Sequence, residues 1–326
     1  MKRFVPLGCA GLLLSFVPVL IGQTEPAATD RKTERTRRRA TVATKTPAPV
    51  PDYADLSYGP DKNNKLDLWL AKSSQPAPLV VFIHGGGFVG GDKNVASPAN
   101  IRRCLEKGVS YAAINYRFRT QVPIQTVLRD CARAVQFLRS KSTEFHLDKT
   151  RVAVMGGSAG AGTSLWLAFH PDMADPQNPD PVLRESTRVV AAAATATQAT
   201  YDILQWPAIL GDAVLRFSQE SDWPTFYGLK TVDDLRSPEG KKIRADVDML
   251  GLITKDDPPV FMISTSDHDG MKNMGDINHT SKHAMAVKKR CDEVGVTAVL
   301  KITGGAQGTM DAENPLEFLL QYLGVQ

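Results

Sequence analysis

Ser158 stands in the run Gly156-Gly157-Ser158-Ala159-Gly160, directly after the short apolar stretch Arg151–Met155 and directly before helix-like sequence. A serine on a tight strand-to-helix turn exposes its hydroxyl. Flanking glycines are needed there because side chains at those positions would collide. The N-terminus of the following helix favours developing negative charge. The chemistry this suits is nucleophilic attack on an acyl carbon. A second glycine-rich run, His84-Gly85-Gly86-Gly87-Phe88, follows the apolar stretch Leu79–Ile83. Successive glycines let backbone N–H groups approach a ligand closely, as needed to hold the oxyanion of a tetrahedral intermediate. A phosphate loop would end in Gly-Lys-Ser/Thr, which is absent here. His84 reads as a loop-stabilising residue.

The elements that must position these groups alternate along the chain. Leu66–Leu70, Leu79–Ile83, Ser110–Asn115, Arg151–Met155, Val189–Thr195, Pro259–Ser264 and Val296–Ile302 read as strands, several of them continuously apolar. Ile124–Arg139, Ser158–His170, Ser281–Val294 and Pro315–Leu323 read as helices. This order predicts an α/β fold, a mostly parallel central sheet with helices on both faces. Residues 198–257 break the rhythm and carry Trp206, Trp223 and Tyr227. They read as a lid insertion or as a structural elaboration.

These motifs, together with Ile114-Asn115-Tyr116-Arg117 between them, resemble the carboxylesterases of the hormone-sensitive-lipase and acetyl-xylan/feruloyl-esterase branches of the α/β-hydrolases. The resemblance covers about residues 53–326 and implies an α/β-hydrolase fold. It implies Ser158 as nucleophile and the N–H groups of Gly86, Gly87 and Ala159 as the oxyanion hole. It places the acid at Asp267, with Asp269 as a neighbour, in the chain order Ser…Asp…His. It places the base in the loop Gly304-Gly305-Ala306-Gln307-Gly308, where Gln307 takes the histidine's position. A glutamine amide cannot accept the serine proton near neutral pH. His268, His279 and His283 are the candidates for a base from another position. His279 and His283 are four apart, a spacing that places them on one face of a helix. It suits a metal pair or a polar face, and two histidines without a third ligand rarely hold zinc. His146 and His170 read as structural. No cofactor or metal is implied.

Two readings follow: a serine esterase acting on small acyl esters or on acylated polysaccharide, and a non-catalytic binding protein on the same fold, motivated by Gln307.

The flanking sequence addresses location. Lys2 and Arg3 precede the apolar run Leu7–Ile21, a pattern of a secretory signal peptide with an uncleaved anchor as rival. Residues 1–22 are assigned to that segment, 23–51 to a Thr/Pro/Arg-rich linker too poor in large apolar residues to fold, and 52–326 to the hydrolase domain. Export, to the exterior or the periplasm, is the expectation. Residues 1–51 hold nine Lys/Arg and three acids, so the net charge of +4 leaves the remainder slightly acidic. The Arg31–Arg39 tract is of a kind that touches an anionic membrane or wall polymer, or serves as a solvated spacer. The domain has no basic stripe with interleaved aromatics, and nucleic acid is not an expected partner. Of four cysteines, Cys104, Cys131 and Cys291 lie beyond the leader and read as buried thiols, not as a disulfide framework.

Overall fold

The computed structural model describes residues 47–265, 270–304 and 314–325. Residues 48–326 cluster as one unit. Its centre is an eight-stranded sheet: β1 (Tyr53–Ser57), β2 (Lys65–Trp69), β3 (Ala77–Ile83), β4 (Ser110–Ile114), β5 (Leu147–Gly157), β6 (Ala192–Thr195), β7 (Val260–Thr265) and β8 (Ala298–Thr303). The spatial order is β1-β2-β4-β3-β5-β6-β7-β8. β1 and β2 are antiparallel to their neighbours, and the rest of the sheet is parallel. The chain has the α/β-hydrolase fold predicted from its motifs.

Six helices of eight or more residues are described: α1 (Pro98–Glu106), α2 (Ile124–Ser140), α3 (Ala159–Phe169), α4 (Pro238–Asp246), α5 (Ser281–Val294) and α6 (Pro315–Tyr322). Alternation along the strands divides the core. Leu79, Val81 and Ile83 of β3 and Val152 and Val154 of β5 pack with α2, α3 and α5. Val80, Ala153 and Met155 pack with α1 and α6. Because both faces are covered, the central strands read as unbroken apolar runs. Every residue of α3 is buried, as expected of a helix that is apolar all round. The α5 face Ala284, Val287 and Cys291 is buried, and Gly295 ends that helix at φ +84°.

Several boundaries differ from expectation. β6 is confined to Ala192–Thr195, while β5 extends back to Leu147. β1 and α1 were not anticipated. β1 is almost wholly exposed and has no apolar periodicity. α1 buries only Ile101 and Cys104, although its Ser97 cap and Pro98 were legible start signals. Within residues 198–257, Leu235, Val247, Met249 and Ile253 join the main core, so this segment is docked structure as well as a cover for the cavity described below. Cys104, Cys131 and Cys291 are buried free thiols, and burial pushes the thiols of Cys104 and Cys291 up to about 12.

Candidate active site

The parallel strands end on one side of the sheet, where ligands of open α/β sheets bind. β3 delivers the His84–Phe88 loop, β5 delivers Ser158, and the chain after β6 and β7 supplies the opposing wall.

Ser158 sits at the N-cap of α3 with φ +53° and ψ −118°. A non-glycine residue in such a conformation costs about 1–3 kcal/mol and must be held by its surroundings. Its N–H donates to Thr195 O at 2.8 Å, and its carbonyl accepts from Gly162 N at 3.0 Å. The glycines have distinct reasons. A Cβ on Gly160 would lie 2.0 Å from Ile83 O, and one on Gly156 would lie 2.5 Å from the same oxygen. A Cβ on Gly157 would meet nothing closer than Thr195 O at 4.0 Å. Gly156 and Gly160 are therefore required by close backbone packing of β3 against the turn, and Gly157 is not.

The second loop lies against the first. A Cβ on Gly85 would sit 2.8 Å from Gly157 O. Gly86, Gly87 and Phe88 all have positive φ, at +111°, +60° and +62°. The N–H groups of Gly86 and Gly87 donate to no acceptor among the described residues. Ala159 begins α3, where backbone donors have no partner within the helix. Gly87, Ser158 and Ala159 line a common cavity. This arrangement can hold an anionic oxygen next to the Ser158 hydroxyl. His84 locks the loop. It is fully buried, its Nδ1–H donates to Gly85 O at 2.6 Å, and its ring stacks on Tyr116 at 4.3 Å between centroids. Burial holds its pKa below the ordinary value, only partly offset by the Gly85 bond and the charge of Asp92.

The imidazole at Ser158 belongs to His279. Its Nε2 lies 2.7 Å from Ser158 Oγ. His279 closes a short helix, Met274–His279, and Thr280 beyond it is non-helical and forms a parallel bridge to Thr265 at the end of β7. Thr280 thus breaks the helix, and His279 and His283 lie on two different helices. The expectation of one shared face is corrected.

His283 is corrected as a candidate base. It is fully buried and serves as a brace: Ala199 N–H donates to Nδ1 at 3.1 Å, and Nε2–H donates to Ile277 O at 3.0 Å. Both ring nitrogens are committed to the fold. Gln198 adds a second brace, its Nε2 donating to Asn278 O at 2.7 Å. The two carbonyls preceding His279 are thereby tied to the chain after β6. Among the described residues no group of three or more His, Cys, Asp or Glu could hold a metal ion. Asp267, His268 and Asp269, and the Gln307 loop, lie outside the described residues. His146 adopts φ +51°, and His170 Nε2 meets Asp246 at 3.1 Å.

The cavity has a volume of about 230 Å³. Its aromatic wall comprises Phe88, Tyr201, Trp206, Trp223 and Phe226, four of them from residues 198–257. Tyr201 also donates its hydroxyl to Ala159 O at 3.1 Å, tying that wall to the first turn of α3. Among these, Trp206 and Trp223 stand out in the sequence, in the segment that breaks the strand–helix rhythm. Tyr201, Gln198 and Phe226 carried no signal, because nothing local marks which aromatic in an irregular segment will face a cavity.

A probable isoprenylcysteine alpha-carbonyl methylesterase of Arabidopsis thaliana is 34% identical over 107 residues, covering 32% of this chain and 22% of the relative. A probable carboxylic ester hydrolase of Mycobacterium tuberculosis is 32% identical over 161 residues, covering 45% of this chain and 37% of the relative. The matches therefore span well under half of these relatives. Among solved structures, an acetyl ester-xyloside bifunctional hydrolase from Caldicellulosiruptor lactoaceticus superposes with TM-score 0.59 at 20% identity, covering 80% of this chain and 87% of that one. A thermophilic esterase from Thermogutta terrifontis gives TM-score 0.57 at 17% identity over 84% and 91% of the two chains. Likenesses at that identity carry the fold. The BD-FAE family model matches residues 66–273, more than half of the chain and a stretch that contains both glycine motifs and Ser158, and the chain belongs to that family.

Proposed function

We propose that this protein is a secreted serine carboxylesterase that cleaves acyl esters through an acyl-enzyme on Ser158. The observation that carries the reading is the 2.7 Å approach of His279 Nε2 to Ser158 Oγ. His279 takes the hydroxyl proton as Oγ attacks the ester carbonyl carbon. The carbonyl electron pair moves onto its oxygen, which the N–H groups of Gly86, Gly87 and Ala159 receive. Collapse of the tetrahedral species breaks the bond to the alcohol oxygen, which leaves with the proton held by His279. Water then attacks the acyl-Ser158 with His279 as base, and the carboxylic acid departs with Oγ–H restored. Asp267 orients the imidazole in this scheme, as the family resemblance implies.

The departure from the family is the origin of the base. It comes from the segment after β7, ahead of the last strand, so that Gln307 has no proton to carry. The non-catalytic reading rests on Gln307, and the imidazole beside Ser158 favours the catalytic one. The aromatic cavity of about 230 Å³ suits a short or planar acyl group, such as acetyl or feruloyl esters on polysaccharide. Export follows from Lys2, Arg3 and the run Leu7–Ile21.

The test is hydrolysis of 4-nitrophenyl acetate by wild type, Ser158→Ala and His279→Ala, alongside labelling by a fluorophosphonate. Robust turnover and labelling in wild type only are expected. Equal rates in all three proteins would sink the reading.

A further inference from the structure

Among the described Lys and Arg residues, Arg119 is the one that lines the cavity containing Ser158. It lies in the segment between β4 and α2, and its backbone N–H donates to Phe88 O at 2.7 Å. Phe88 is the residue after Gly87, so Arg119 is anchored directly to the oxyanion loop. Nearby arginines are consumed by the fold: Arg117 pairs with Asp130 at 2.6 Å, and Arg133 pairs with Asp180 at 2.6 Å. Arg119 forms no ion pair or side-chain hydrogen bond among the described residues, and it is exposed at the cavity mouth. Asp222 lines the same cavity without pairing to Arg119. A guanidinium offers a planar fork of donors matched to a carboxylate or sulfate, and beside low-dielectric aromatic walls its attraction is less screened than on an open surface.

We propose that Arg119 forms an anion subsite at the mouth of the cavity, so that the preferred substrate is an ester bearing a carboxylate within reach of the scissile bond. The proposal rests on the hydrolase reading above and narrows its substrate class. The carboxylate is carried either by the acyl group or by the alcohol, and the two sources are separable.

For the acyl side, kcat/KM is measured for 4-nitrophenyl glutarate, with a free carboxylate, against the neutral 4-nitrophenyl valerate. For the alcohol side, acetate release is measured from acetylated glucuronic acid against acetylated glucose. Wild type is expected to prefer the anionic member of at least one pair by about tenfold, equivalent to about 1.4 kcal/mol. In Arg119→Gln that ratio should fall to about one, and in wild type it should shrink with added salt. An absent preference in both pairs, or one that persists in Arg119→Gln, overturns the subsite. If wild type turns over none of the four esters, the hydrolase reading fails on its own. The subsite is then decided by binding of glutarate and glucuronate, read from the fluorescence of Trp206 and Trp223. Saturable quenching lost in Arg119→Gln supports it, and quenching equal in both proteins or absent from wild type overturns it.

Discussion

Ser158 and His279 are 121 residues apart in the chain and meet at 2.7 Å, Oγ to Nε2, where the ends of β5 and β7 bring them together. In the proposed mechanism, removing the imidazole takes away the hydroxyl's proton acceptor among the described residues. His279→Ala is expected to lower kcat on a chromogenic ester by about 10³-fold or more, with KM little changed. Gln307→His should not restore activity to wild-type levels in that background. Recovery to wild-type rates would place the base in the loop after β8.

His283 tests whether the brace beneath His279 matters. His283→Leu leaves the Ala199 N–H and the Ile277 carbonyl unpartnered inside the core. The cost should be about 2–4 kcal/mol in urea unfolding, because each orphaned buried group costs about 1–3 kcal/mol. A loss below about 0.5 kcal/mol would show that these groups find other partners.

The two glycines beside Ser158 make opposite predictions. Gly160→Ala drives a methyl into Ile83 O, with 2.0 Å available, and should destabilise by more than about 3 kcal/mol or prevent folding. Gly157→Ala meets open space to 4.0 Å and should cost less than about 1 kcal/mol. Thermal unfolding of the two variants side by side checks this, and equal losses would contradict the packing described.

His84 makes stability depend on pH. Its folded pKa lies below the ordinary 6.5, chiefly through burial, so the unfolded chain binds its proton first. The stabilisation is complete above the unfolded value and is lost as pH falls below it toward the folded value. Wild type should lose stability as pH falls below about 6.5, with a contribution from this group of at most about 1.4 kcal/mol per pH unit. His84→Phe keeps a ring on Tyr116 and should flatten that slope in urea titrations. An unchanged slope would show that His84 does not titrate differently on folding.

Some of this protein was determined locally and is visible in one dimension. The central strands are buried on both faces, so β3, β4 and β5 appear as apolar runs regardless of their neighbours. The glycine pattern around Ser158 is legible in the sequence, although the contact that requires Gly156 and Gly160 is the approach of Ile83 O from β3. The imidazole that meets Ser158 was not legible in this way. His268, His279 and His283 share residue type and neighbourhood, and nothing in their spacing separates them. Tertiary structure separated two of them through a single break at Thr280, whose bridge to Thr265 turns His279 toward Ser158 and sends His283 into the core. The same holds for the cavity wall. Tyr201, Trp223 and Phe226 face Ser158 because residues 198–257 dock against the core, and that docking depends on long-range contacts with no local pattern. A short glycine motif marked Ser158 in the sequence, whereas the choice among equivalent side chains required the contacts that only the folded chain makes.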